Sequence, residues 1–148
     1  MIINQRLLDD LTDLAKKNPR LRQAYDLRTT SEDNSQRILN ACEPGTILPI
    51  HRHRTTTETI TCLRGRCVQF LYRENEDGSL TLVDAITMEP GGEVPAMSVE
   101  VDQWHRLESQ ISGTVILECK DGKYEPLREE DVWTVNTTNK TYVDKRSS

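Results

Sequence analysis

The chain has 148 residues, enough for one domain, of which 35% are hydrophobic and 5% aromatic. A formal charge of −5 and a pI near 5.2 exclude a general nucleic-acid binder, because no basic surface would follow a phosphate backbone. The apolar runs are too short to cross a bilayer, and MIINQRLLDDL meets Asp9 and Asp10 before any long apolar stretch, so neither a membrane span nor a signal peptide is expected.

Residues 4 to about 16 carry Leu7, Leu8, Leu11, Leu14 and Ala15 at the spacing of one apolar helix face, and Asn18-Pro19 is the expected stop. PRLRQAYDLR is basic and fits either a short turn or an extended connector. TTSEDNSQ, residues 29–36, has the composition of a polar loop. From Arg37 onward short apolar segments alternate with turn residues. RILNAC is the first candidate strand, and TETITCL and CVQFLYR flank Arg64-Gly65-Arg66 as an expected hairpin. LTLVDAITM, VPAMSVEV, QWHRLES and TVILECK follow as further strand-like segments. About seven strands joined by short turns point to an antiparallel sandwich or barrel. The expected layout is a helical segment over 1–28, a β-domain over 29–133 and a polar, frayed tail over 134–148.

The four cysteines, Cys42, Cys62, Cys67 and Cys119, form no C-x-x-C pair, which removes zinc-ribbon and thioredoxin readings. Free thiols in a reducing cytoplasm are expected, with Cys62 and Cys67 close across the 64–66 turn.

Chemistry concentrates in the histidines. His51 and His53 are two apart, so on a strand they share one face while Arg52 and Arg54 take the other. Glu58 opens the next strand, and His105 lies in QWHRL on a later one; a barrel can bring all four to one point. Three neutral imidazoles and a carboxylate suit one divalent first-row metal such as Fe, Mn, Zn or Ni. A structural zinc site would more often use cysteine and close at four ligands. This set leaves positions open for a small molecule.

The spacing from Gly45 through His51, His53 and Glu58 to Gly65 resembles the first motif of the cupin superfamily, and His105 takes the place of the histidine that ends the second. The leading helix, Asn18–Arg22, the H-R-H core, Gln103–His105, Glu118–Tyr124 and Trp133 together resemble the WbuC-type cupin-fold metalloproteins. The resemblance implies an all-β fold: a single cupin jelly-roll barrel (double-stranded β-helix), with the N-terminal helix packed on it and a metal in its mouth. It also implies association with O-antigen and surface-polysaccharide metabolism.

Around the expected ligands, Gly45 and Gly65 are turn residues. Tyr72 is a candidate phenol donor, Gln103 a candidate hydrogen-bond partner for a water at the metal, and Glu118, with Lys120, a candidate pocket residue. Arg52, Arg54, Arg64, Arg66 and Arg73 form a solvated basic face or an anion site. The primary functional expectation is an isomerase- or epimerase-like step on a carbohydrate or sugar nucleotide. The alternatives are an Fe(II)-dependent oxygenase and a non-catalytic module that senses a small molecule. A homodimer is expected, with the N-terminal helix and Trp104 or Trp133 as interface residues.

Overall fold

A computed structural model of the chain describes residues 1–133 and the backbone of 142–143. One helix, α1 (Gln5–Lys17), precedes the strands β1 (Arg22–Asp26), β2 (Ser35–Cys42), β3 (Ile50–His51), β4 (Glu58–Arg64), β5 (Cys67–Glu74), β6 (Leu80–Met88), β7 (Ala96–Val99), β8 (Trp104–Ser109), β9 (Thr114–Asp121), β10 (Val132–Trp133) and β11 (Tyr142–Val143). The strands form two sheets, ordered β1-β2-β9-β4-β7 and β10-β3-β8-β5-β6-β11. Their pairing is antiparallel apart from β11 alongside β6. The frayed tail expected over 134–148 lies outside the described residues but for the backbone of that short strand. No described helix is long and apolar enough to cross a membrane.

Helix α1 starts where the Asn4 side chain accepts the Leu7 amide, satisfying one of the donors a first turn leaves free. It ends at Asn18, before Pro19, with Lys16 and Lys17 in the last turn, where positive charge meets the negative end of the helix dipole. Its buried face is Leu8, Leu11, Thr12 and Ala15, packed on Leu39, Ala41 and Val115 of the first sheet's outer face. Leu14, expected in that face, is 51% exposed, and Thr12 is buried in its place because its hydroxyl accepts Arg64 Nη2 at 2.7 Å.

Alternation along the strands divides each sheet into an outer and an inner face. Between the sheets, Ile60, Cys62, Cys67, Met88, Val99, Leu107 and Ile116 fill the interior. A third cluster, Phe70, Tyr72, Leu80, Trp104 and Trp133, covers the outer face of the second sheet.

Of the two readings of the PRLRQAYDLR segment the extended one holds, since it contains strand β1, the edge of the first sheet. Several expectations need correction. The 64–66 turn is not a hairpin: β4 and β5 lie in different sheets, and the chain crosses between layers there. The register shifts between Cys62 and Arg64 where β4 leaves β9, and Gly65 turns with a φ of +84°. Its partner in space is Thr114, whose Cα would stand 2.6 Å from any added Cβ. The hairpin in this region is β5–β6, closed through Asn75 and Ser79. Trp104 and Trp133 are each 3% exposed and pack edge to face at 6.1 Å, so they are interior residues and not an interface.

Candidate metal centre

The register of the two sheets assembles the site. In the second sheet His51 of β3 lies opposite His105 of β8, and His105 lies opposite Leu71 of β5, so the three form one inward row. In the first sheet, Val99, Glu58, Lys120 and Gln36 are cross-strand neighbours in a row facing it. His53, just past the end of β3, closes the space between the sheets.

His51, His53, Glu58 and His105 each offer one ligand atom, and these atoms all lie within 4.8 Å of one another. Ring centroids are 5.0 Å apart for His51–His53, 4.3 Å for His51–His105 and 5.4 Å for His53–His105. His51 Nδ1 lies 3.1 Å from the Pro49 carbonyl and His105 Nδ1 2.8 Å from the Gln103 carbonyl. A carbonyl accepts only, so each Nδ1 carries the proton and each Nε2 turns a lone pair inward, the usual orientation of a metal-binding histidine. Yet His105 Nε2 stands 2.9 Å and His53 Nε2 3.2 Å from Glu58 Oε2. For His105 a lone pair and a carboxylate oxygen at that distance repel unless the ring carries a second proton or a metal ion lies between them, whereas His53, whose Nδ1 proton no contact fixes among the described residues, can donate to Glu58 from Nε2 as a neutral ring. The donor set therefore fits a divalent ion.

Charge follows the same geometry. Burial and the neighbouring His105 push the His51 pKa down to about 4, so this ring is neutral and ready to ligate at neutral pH. Burial opposes ionisation of Glu58, but hydrogen bonds from His105 and His53 outweigh it and hold its carboxyl well below the usual range. One row deeper, Glu118 faces the interior between Ile38 and Ile60 and accepts Asn40 Nδ2 at 2.6 Å. Burial first, and the charge on Glu58 second, raise its pKa to about 7.

Arg52 and Arg54 project away from the histidines and close on Asp131, which is 6% exposed, through Nε contacts of 3.0 and 2.6 Å. Burial opposes ionisation of Asp131, but the two guanidiniums keep its carboxyl below the usual range. This clamp and the β3–β10 pairing hold the segment that carries both histidines. The other arginines of the expected basic face go elsewhere. Arg64 fastens α1 through Asp9 and Thr12, and Arg66 pairs with Glu89.

The remaining site expectations divide. Glu118 points into the barrel below the cluster. Tyr72 lies opposite Trp104 on the outer face of the second sheet, where adjacent residues of a strand diverge, and so does not reach the histidines. The side-chain amide of Gln103 donates to the Tyr72 and Trp104 carbonyls, and its contribution is its own carbonyl on His105 Nδ1. Lys120, named in the sequence beside Glu118, stands in the site, and Gln69, which the sequence does not single out, lies in the row below it. Lys120 Nζ is 3.4 Å from His53 Nε2. Gln69 is fully buried, lies opposite Leu107 in the row below His105, and has neither amide atom hydrogen-bonded among the described residues. The one sequence signal for Gln69 is its place between Cys67 and Leu71, a polar side chain in an otherwise apolar inward row.

Two facing antiparallel sheets with a three-histidine, one-carboxylate cluster between them define a cupin jelly roll. Solved structures share the fold. KdgF from Halomonas sp. matches at a TM-score of 0.53 and 12% identity, over 70% of this chain and 81% of that one. A sugar phosphate isomerase of the cupin superfamily from Silicibacter pomeroyi matches at 0.51 and 17%, over 68% and 59%. Oxalate decarboxylase from Bacillus subtilis matches at 0.52 and 15%, over 77% of this chain but only 27% of that one. The chain belongs to the family described as a domain of unknown function (DUF6016), whose model matches residues 3–83. No curated protein matches the sequence.

Proposed function

We propose that this protein is a divalent-metal-binding cupin of WbuC type. Its open site takes a small molecule of the carbohydrate or sugar-nucleotide class and moves a proton on it in an isomerase- or epimerase-like step. The observation that carries the reading is the convergence of one ligand atom each from His51, His53, Glu58 and His105 within 4.8 Å of one another, with His51 and His105 turned Nε2-inward by their Nδ1 contacts. His51, His53, Glu58 and His105 would hold the ion, which when bound supplies Lewis-acid polarisation of a carbonyl or hydroxyl. Glu118 is the candidate proton carrier, because it is an inward-facing carboxyl in the row next to the cluster, with the Asn40 amide as its hydrogen-bond donor. That carboxyl, half-buried beside the cluster, favours proton transfer over oxygen chemistry. A fold neighbour named as a sugar phosphate isomerase supports the substrate class by analogy alone. A role in surface-polysaccharide metabolism and a homodimeric, cytoplasmic state belong to the same proposal and rest on the WbuC resemblance.

The test is metal content per chain by elemental mass spectrometry, after anaerobic purification and reconstitution. About one equivalent is expected in the wild type, and its loss in the His51→Ala/His53→Ala variant. No metal in the reconstituted wild type would overturn the reading. Iron with substrate-dependent O₂ uptake in an oxygen electrode would replace the isomerase step by an oxygenase one.

A further inference from the structure

The cavity beside the cluster, about 290 Å³, is lined by His53, Lys120 and four further cations, Arg52, Arg54, Lys123 and Arg128, together with the carboxylates of Asp121, Glu125 and Asp131. Those four cations already have carboxylates: Arg52 and Arg54 share Asp131, Lys123 pairs with Glu32, and Arg128 lies 4.0 Å from Glu130. Lys120 differs. Among the described residues no carboxylate lies within 4.0 Å of its Nζ, and its polar contact is His53 Nε2 at 3.4 Å.

That contact cannot persist in a loaded site. Nε2 of His53 cannot donate to Glu58 and accept from Lys120 at once. Once its lone pair goes to a metal ion, the Lys120 ammonium loses its acceptor and stands beside a second positive charge. Three neutral imidazoles and one carboxylate leave a divalent ion with an uncompensated positive charge, and Lys120, cross-strand from Glu58 and two residues from Glu118, adds another that those carboxylates offset in part.

We propose that the ligand of this site is a small carboxylate, a hydroxy or sugar acid, with Lys120 as the residue that recognises its charge. The inference rests on the metal-binding reading and narrows the substrate class within it. A carboxylate is favoured over a phosphate because the contact at the cluster is the single ammonium of Lys120, while Arg52 and Arg54 turn their Nε groups onto Asp131.

The test uses Co(II)-loaded protein titrated with glycolate, ethylene glycol and inorganic phosphate, followed by the visible Co(II) absorption. Glycolate and ethylene glycol differ in charge at nearly equal size. In the wild type glycolate is expected to bind at least about tenfold more tightly than ethylene glycol. Lys120→Met is expected to weaken glycolate at least about tenfold, with one equivalent of Co(II) retained and ethylene glycol unaffected. Lys120→Arg should recover part of the loss. Equal affinity for glycolate and ethylene glycol in the wild type would overturn the inference, and this comparison needs no variant to fold. Binding of phosphate without glycolate would overturn it too, as would an unchanged glycolate affinity in Lys120→Met. Failure of the wild type to take up Co(II) is a different result, and it strikes the metal reading itself.

Discussion

Glu118 and Gln69 are polar groups set into the barrel core, one on each sheet, in the rows just below the cluster. Each opposes folding in the absence of a guest, because an ionised carboxylate or an unsatisfied amide loses its hydration when buried. For Glu118 the effect depends on pH, and its sign follows from linkage. Its folded pKa of about 7 is above the ordinary 4.5, so between these values the folded state holds a proton that the unfolded state has released. Stability is therefore lost as pH rises through that window and stays lost above it. The shift corresponds to a loss on the order of 3 kcal/mol. His51 acts with the opposite sign. Its folded pKa of about 4 lies below the ordinary 6.5, and stability falls as the pH drops between them. Urea melts of metal-free wild type and Glu118→Gln at pH 5 and pH 8 isolate the carboxyl. The variant is expected to gain on the wild type by a few kcal/mol at pH 8 and little at pH 5. Equal differences at both values would mean that Glu118 ionises normally inside the barrel.

At the scale of elements, the crossing from β4 to β5 decides how the two inner rows face each other. Gly65 makes that crossing with positive φ, and an added Cβ would strike Thr114 at both Oγ1 and Cα. A backbone atom cannot step aside, so Gly65→Ala combines left-handed strain with a steric clash. The expected loss is about 3 kcal/mol or more in thermal or urea unfolding. The same substitution at Gly78, also at positive φ but with nothing within 4 Å of an added Cβ, should cost about 1 kcal/mol from strain alone. This crossing also marks how far the sequence could be read. Strand segments and the ligand-type residues were legible because both are local: alternation marks strands, and the 45–65 spacing is written along one stretch of chain. Gly65 was mistaken for a tight hairpin turn because the contact that requires glycine comes from Thr114, far away in sequence. For Lys120 the sequence offers only its i, i+2 spacing from Glu118. Its place beside Glu58 follows from the β4–β9 register, which no local pattern encodes. Tyr72 and Gln103 were assigned to the site by strand position, but facing direction and side-chain hydrogen bonding put them elsewhere.

The whole molecule stacks helix, first sheet, interior and second sheet, with hydrophobic clusters on both sides of the first sheet and on the outer face of the second. The first sheet is common to two of them: Leu39, Ala41 and Val115 meet α1, while Ile60, Cys62 and Ile116, on its opposite face, fill the barrel. Arg64 at the end of β4 reaches across to α1, with Nη1 on Asp9 and Nη2 on the Leu8 carbonyl and Thr12. Damage to the helix interface should therefore be felt throughout, because α1 sits on β2 and on β9, the strand that carries Lys120 and pairs with the strand of Glu58. Leu11 is 3% exposed in that interface, and Leu11→Ala removes its packing at an expected cost of about 3 kcal/mol. Two signals report from opposite sides: far-UV circular dichroism at the helix wavelength, and fluorescence of Trp104 and Trp133, the chain's two tryptophans, behind the second sheet. In the wild type both should give one midpoint in urea, and Leu11→Ala should lower both midpoints equally. If the helix signal alone moved, α1 would be an appendage that docks on an independently stable barrel. A shared shift would make it a structural layer of the domain, through which the first sheet holds its half of the site in register with the histidines of the second.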